Sequence, residues 1–267
     1  PEIYVIPRTG GIPQRVTHHP SADRLLDWYP DGRTLLFASS MESGRQRFSQ
    51  FFQVDGDGGL PVKLPLPFGE FGSVSSDGKI LAFTPRTRDF RTWKRYRGGM
   101  ESDIWLFNLE TYESENITRS PATDSHPMWH GNTLYFLSDR GPNKRFNIWA
   151  YDTVGNSMEQ VTHFSEYDIH FPAIGPAEIV FEAGGRLYLL DLDTRQPREV
   201  KVEALTDERT LLPKVEKTSR LIRAADISPE GKRAVFEARG EIYTLPAEHG
   251  FIRNLTHDPG AAERNPA

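Results

Sequence analysis

The sequence contains no cysteine, which excludes disulfides, cysteine-ligated zinc and a thiol nucleophile together. That absence does not choose a compartment, because many periplasmic proteins share it with cytoplasmic ones. Long apolar runs are missing too: none approaches the roughly 18 residues a membrane-crossing helix needs, so no membrane insertion is expected. The opening Pro1-Glu2-Ile3-Tyr4 has neither an initiating methionine nor a signal-peptide pattern, and the start is expected to be cut. A strong charge of either sign is also lacking. Lys and Arg total 32 against 37 Asp and Glu, a net charge of −5, and this mildly acidic balance argues against a nucleic-acid partner.

What the sequence does have is turn-forming residues. The 22 glycines and 20 prolines are scattered over the 267 residues, which suits many short strands better than long helices. A unit recurs about every 40 to 55 residues, the period of propeller blades. It begins with an apolar strand ending in a tight turn: Leu25 to Tyr29 before Pro30-Asp31-Gly32, Gly72 to Ser75 before Ser76-Asp77-Gly78, and Ala225 to Ser228 before Pro229-Glu230-Gly231. A β-rich strand with a terminal aromatic follows, as in Thr34-Leu35-Leu36-Phe37, Ile80-Leu81-Ala82-Phe83, Thr133-Leu134-Tyr135-Phe136, Glu178-Ile179-Val180-Phe181 and Arg233-Ala234-Val235-Phe236. A third, alternating strand includes Asp103-Ile104-Trp105, Asn147-Ile148-Trp149, Arg186-Leu187-Tyr188 and Glu241-Ile242-Tyr243. Pro1 to Ile6 matches it as well. A fourth, polar strand closes several units at Gln14-Arg15-Val16-Thr17, Glu115-Asn116-Ile117-Thr118, Gln160-Val161-Thr162 and Arg253-Asn254-Leu255-Thr256.

Four strands per unit make a blade, and the expected fold is all-β: a β-propeller of four-stranded antiparallel blades, about six in number. Both ends fall inside a blade, so the units form either a circularly closed ring or an incomplete part of a longer array. The expected organisation is a first propeller over 1–203 (the tail of one blade plus four blades), a linker or blade connection over 204–220, and a further blade over 221–267 that starts a second propeller.

Against this repeat, Phe90-Arg91-Thr92-Trp93-Lys94-Arg95-Tyr96-Arg97-Gly98-Gly99, followed by Asp103-Ile104-Trp105, resembles the long hairpin of the fourth blade of the first propeller in the tricorn protease family. His163-Phe164-Ser165-Glu166-Tyr167-Asp168 and Phe181-Glu182-Ala183-Gly184-Gly185 resemble the fifth-to-sixth blade passage of that domain. The turn-and-strand unit alone is shared more widely, with prolyl oligopeptidases and periplasmic translocation propellers. The resemblance covers nearly the whole chain and implies a parent serine peptidase whose catalytic serine and histidine lie far downstream, with no matching position here. It further implies unfolded peptides or oligopeptides as partners, contacts with other domains of the same chain, and room for a homo-oligomer. The family's first propeller is thought to offer arginines to the carboxylate end of peptides. Here the loop His18 to Arg24 has one arginine and no adjacent pair.

No catalytic, metal or cofactor site is expected. A serine hydrolase wants a nucleophile on a strained turn such as G-x-S-x-G, whereas Ser73, Ser75 and Ser76 lie beside a repeat turn. The histidines lack the paired spacing of a zinc site; His163 and His257 are repeat positions, and an axial cluster of His126, His130 and His170 is the weaker alternative. Val54-Asp55-Gly56-Asp57-Gly58-Gly59 resembles a calcium loop, but Leu66 stands where the glutamate should be, which favours a hairpin turn. The remaining candidates are Arg24, Arg95 and Arg97 as peptide or channel contacts, and Trp93 and Tyr96 as interdomain packing. The competing function is a protein-docking propeller of a periplasmic translocation-type complex, with no link to proteolysis.

Overall fold

The computed structural model describes every residue except 45–47, 87–97, 99–100, 204–216, 259 and 267. The chain divides into two compact units, Pro1–Val202 and Glu203–Ala267. The first holds a two-stranded hairpin, β1 (Tyr4–Val5) and β2 (Gln14–Arg15), and then four antiparallel four-stranded sheets. These are β3 (Asp23–Trp28), β4 (Thr34–Ser39), β5 (Gln50–Asp55) and β6 (Val62–Lys63); then β7 (Phe71–Val74), β8 (Ile80–Thr84), β9 (Trp105–Asn108) and β10 (Ser114–Asn116). Next come β11 (Asp124–His130), β12 (Thr133–Ser138), β13 (Asn147–Asp152) and β14 (Ser157–Gln160), and last β15 (Ile169–Ile174), β16 (Glu178–Ala183), β17 (Arg186–Asp191) and β18 (Pro197–Val200). The second unit is one sheet of the same kind, β19 (Ile222–Ile227), β20 (Arg233–Ala238), β21 (Glu241–Pro246) and β22 (Arg253–Asn254), after a short 3-10 turn at Thr218–Arg220. Each sheet runs in chain order, and the fold is a β-propeller of four-stranded blades.

Three local devices recur among the blades. The first is the hairpin between its first two strands: Asp31 accepts from the Arg33 and Thr34 amides at 2.8 Å, and Gly32 supplies the positive φ of 65° that the turn requires. These bonds, led by the Thr34 hydroxyl, hold the Asp31 carboxyl below its usual range. The second explains the recurrent threonine. The hydroxyls of Thr17, Thr118, Thr162 and Thr256 accept from the amides of Ile3, Ile104, Ile148 and Ile242 at 2.8–3.2 Å, each pair 14 residues apart. Apolar residues could hold the strand pairing there but would leave a buried N–H without an acceptor. The third device pins the crossing to the next blade: the amides of Asp23, Asp124, Ile169 and Glu263 donate to the carbonyls of Pro1, Ser102, Phe146 and Gly240.

The core lies between sheets rather than within them. Ile3 and Val16 of the hairpin region meet Leu35, Phe37 and Phe52. Leu36 and Phe51 meet Val74, Leu81 and Phe107 of the following sheet. Ala82 and Ile104 meet Leu134 and Phe136, and Ile148 and Val161 meet Ile179, Phe181 and Leu190. Close approach is enforced at Gly69, where a Cβ would stand 2.0 Å from Cε2 of Phe51. The strand pattern read from the sequence is present with shifted bounds, and the fourth strands end at Arg15, Asn116, Gln160 and Asn254, short of the threonines placed in them. The loop beginning at His18 ends sooner than expected, because Asp23 and Arg24 already pair with Ser39 and Ala38.

Candidate functional site

The first strand of each sheet in the first unit is an edge strand, and β3 packs beside β7, β7 beside β11, and β11 beside β15. Between them lies a cavity of ≈ 420 Å³ to which all four strands contribute, among them Arg24, Trp28, Phe71, His126, Met128 and Phe171. This is the axial side of the blades.

Backbone irregularity aims these side chains. β3, β11 and β15 shift register between Leu25 and Asp27, Ser125 and Met128, and His170 and Ala173, the mark of bulges that bend an edge strand and redirect its side chains. In β11 and β15 the bulge carries His126-Pro127 and Phe171-Pro172, with φ of 52° at His126 and 50° at Phe171. A non-glycine residue in this region costs on the order of 1–3 kcal/mol, and such positions gather at functional sites. Two equivalent blades hold the strain at the same axial place.

The side chains form a column. The Arg24 guanidinium lies 4.5 Å from the centroid of Phe71, and Phe71 stacks on His126 at 3.8 Å. Arg24 also donates to the backbone carbonyl and the carboxylate of Glu70. Burial, with the Arg24 guanidinium and His170 adding to it, lowers the His126 pKa to about 3, so this imidazole is neutral at pH 7 and presents an aromatic face rather than a charge. Beneath the column a polar relay ties three blades: the Trp129 amide donates to Ser73 Oγ at 3.1 Å, and Ser73 Oγ donates to Asp27 Oδ2 at 2.6 Å. Burial raises the Asp27 pKa against the hydrogen bonds from Ser73, Val74 and Trp28. Ser73 is thus an interblade link, bonded on both sides to neighbouring strands.

Of the residues singled out from the sequence, Arg24 lines the axial cavity, whereas Trp93, Arg95, Tyr96 and Arg97 lie outside the described residues. His126 and His170 come near one another, while His130 Nε2 lies 3.1 Å from the Pro176 carbonyl. No group of three His, Asp or Glu able to hold a metal stands together among the described residues. The calcium-like segment is a hairpin turn in which Asp55 accepts from the Asp57 amide and pairs with Arg33 at 2.6 Å. Trp28, Phe71 and Phe171 were not singled out from the sequence. For Phe171 a signal exists, the Pro172 directly after it inside an apolar strand, which marks a bulge; Trp28 and Phe71 carry none.

Four-stranded antiparallel blades packed side by side, with their first strands lining a shared cavity, are the architecture of a β-propeller, and the comparisons place it more narrowly. A sequence profile described as "Tricorn protease N-terminal beta propeller domain" matches residues 1–196, and the chain belongs to this family. It is 26% identical over 274 residues to "Tricorn protease homolog 1" of Streptomyces coelicolor, an alignment covering 100% of this chain and 25% of that protein. It is 25% identical over 228 residues to "Tricorn protease" of Thermoplasma acidophilum, covering 84% of this chain and 20% of that protein. Among solved structures, "Crystal structure of the tricorn protease" superposes with a TM-score of 0.66 at 20% identity over 96% of this chain and 25% of that one. A TolB from Acinetobacter baumannii superposes with a TM-score of 0.59 at 18% identity, over 94% of this chain and 60% of that one, which is a likeness of fold. The chain therefore spans about a quarter of the length of the curated relatives it matches.

Proposed function

We propose that this propeller is the non-catalytic wall of a tricorn-like serine peptidase, and that its axial cavity guides unfolded peptides to an active site carried elsewhere in a longer chain. The observation that supports this most directly is the ≈ 420 Å³ axial cavity itself. Its wall is largely apolar and aromatic, with neutral His126 in the column, and Arg24 is the cation it offers. Such a lining slides past side chains of many kinds without selecting one, while a single guanidinium biases orientation by drawing a carboxylate. On this reading Arg24, Arg95 and Arg97 orient the peptide, Trp93 and Tyr96 pack against another domain, and the organisation is a first propeller to about residue 203 followed by the first blade of a second. A docking propeller for a protein partner rests on fold likeness alone, and no feature of the cavity favours it.

Trp28 provides the test, since it lines the cavity and is 43% exposed. Unstructured oligopeptides should quench tryptophan fluorescence saturably; Trp28→Phe should remove most of the signal, and Arg24→Ala should weaken binding roughly tenfold, as for loss of one charge-assisted hydrogen bond. Peptides that bind with equal affinity to the Arg24→Ala variant, or not at all to the wild-type chain, would overturn the reading.

A further inference from the structure

The sheet of the second unit carries a cavity of its own, ≈ 300 Å³, whose wall is rich in arginine. Arg220, Arg223, Arg239 and Arg264 line it against one acid, Glu237, among the described residues. This concentration of cations stands out on a chain whose net charge is −5.

Each arginine is delivered by a different local device. Arg220 ends the 3-10 turn Thr218–Arg220. β19 shifts register between Ile222 and Ala224, so Arg223 is the extra residue of a bulge, the irregularity that redirects side chains in the first unit as well. Arg239 stands at a φ of 56° directly before Gly240 at 84° in the turn between β20 and β21. The corresponding turn between β16 and β17 is Gly184-Gly185, at 61° and 77°, so an arginine here takes a left-handed position that the sister sheet gives to glycine. Arg264 comes from the closing segment, which is pinned across the same turn: the Glu263 amide donates to the Gly240 carbonyl at 2.8 Å, and the Asn265 amide to Glu237 Oε2 at 3.1 Å.

In the first unit, exposed arginines are matched by acids, Arg33 by Asp55, Arg186 by Glu199 and Arg198 by Glu178. The side chains of Arg220, Arg223 and Arg264 have no such partner among the described residues, and Glu237 is only 3% exposed and already engaged by Asn265. Guanidinium groups gathered without matching acids repel one another, and an anionic ligand removes that repulsion. Their planar forks fit carboxylates, which accept two parallel N–H bonds. Two features of the wall favour a peptide over a compact inorganic anion. Leu221 and Ile222, 38% and 46% exposed, line the same cavity and offer apolar surface to the methylenes of an acidic side chain. Glu237 repels a phosphate dianion, whereas it accepts from a peptide's backbone N–H.

We propose that this cavity binds an acidic peptide segment, with the carboxylates of neighbouring Asp or Glu side chains held by Arg220, Arg223 and Arg264. The inference goes beyond the axial reading and shares no residue with it.

The test is isothermal titration calorimetry of the 267-residue chain at low salt with acetyl-Leu-Glu-Glu-amide, and with acetyl-Leu-Gln-Gln-amide as the uncharged control. Arg24→Ala is the background, because it removes the arginine of the axial cavity, so that a preference for Glu over Gln arises elsewhere. The Glu peptide is expected to bind at least about tenfold more tightly than the Gln peptide, the scale of a charge-assisted hydrogen bond. Adding Arg223→Gln or Arg264→Gln removes most of that preference, and Arg239→Gly, which restores the turn of the sister sheet, lowers it with the fold kept. Lys232→Gln, on the same sheet but outside the cavity, leaves it unchanged. A preference that is absent, that survives the arginine substitutions, or that Lys232→Gln lowers equally overturns the proposal, as does displacement of the peptide by an equal concentration of inorganic phosphate. Failure of the axial reading, seen as Trp28 quenching indifferent to Arg24, leaves these outcomes untouched.

Discussion

In β12 every residue from Leu134 to Ser138 is buried, whereas in β20, its counterpart in the second unit, only Glu237 and Ala238 are. Yet the two sheets share their internal devices: the turn glycine at positive φ (Gly131 and Gly231), the threonine latch (Thr162 to Ile148, Thr256 to Ile242) and the pinned crossing. The difference lies in what stands beside them. Phe136 belongs to a core shared with Ala82 and Ile104 of the preceding sheet, while the second unit leaves Ile227, Phe251 and Ile252 68%, 87% and 64% exposed. Strand pairing is encoded inside a blade, and burial is contributed by its neighbours.

Deleting the ring of a buried aromatic should separate the two sheets most. Phe136→Ala is expected to cost about 3–5 kcal/mol, and Phe236→Ala in the half-buried equivalent less than half of that, as read from urea denaturation. Equal losses would mean that the second sheet has a neighbour of its own. Electrostatics should sort the same way. Burial pushes the Asp124 carboxyl up while Arg140 pulls it down. Removing the arginine with Arg140→Met leaves an uncompensated buried charge worth about 3–5 kcal/mol, whereas Lys232→Met, which breaks the exposed pair with Glu230, should leave Tm unchanged.

The latch gives a smaller effect. Thr162→Val leaves the Ile148 amide and Asn147 Oδ1 without this partner in a buried setting, with an expected cost of about 1–3 kcal/mol. Thr256→Val should cost less, since water reaches the second sheet. If the two costs match, the latch works through strand geometry and not through burial. Smallest near neutral pH, and growing with acid, is the contribution of His126. Its folded pKa of about 3 lies below the ordinary value of 6.5, so the unfolded chain binds the proton first. Its contribution is complete above pH 6.5 and falls as pH drops toward 3, by at most ~1.4 kcal/mol per pH unit. His126→Phe, which keeps the ring stack, should flatten that part of the stability profile; an unchanged acid limb would place the titration elsewhere.

The blade repeat was legible because each of its devices is local. A turn needs Asp-Gly or its like, an apolar strand needs alternation or a run of branched and aromatic residues, and the latch needs a hydroxyl 14 residues from its amide. Of the cavity's lining, the sequence drew attention to Arg24, to Ser73 as a turn neighbour and to His126 within the alternative histidine cluster, without showing that they meet. Phe71 and His126 are 55 residues apart in sequence and stack because β7 and β11 are neighbours at the inner edge, and no local pattern encodes that distance. Ser73 showed the same limit: beside a turn in sequence, it bridges Asp27 and Trp129 of two other blades in space.

The sequence by itself determined the number of strands per blade, their order, the turns between them and the absence of cysteine chemistry, since each follows from residue type at short range. Tertiary structure decided which blade faces are buried and how His126 loses its affinity for a proton. Those outcomes depend on what is brought alongside, and desolvation and pairing are set by neighbours in space rather than by neighbours in the chain.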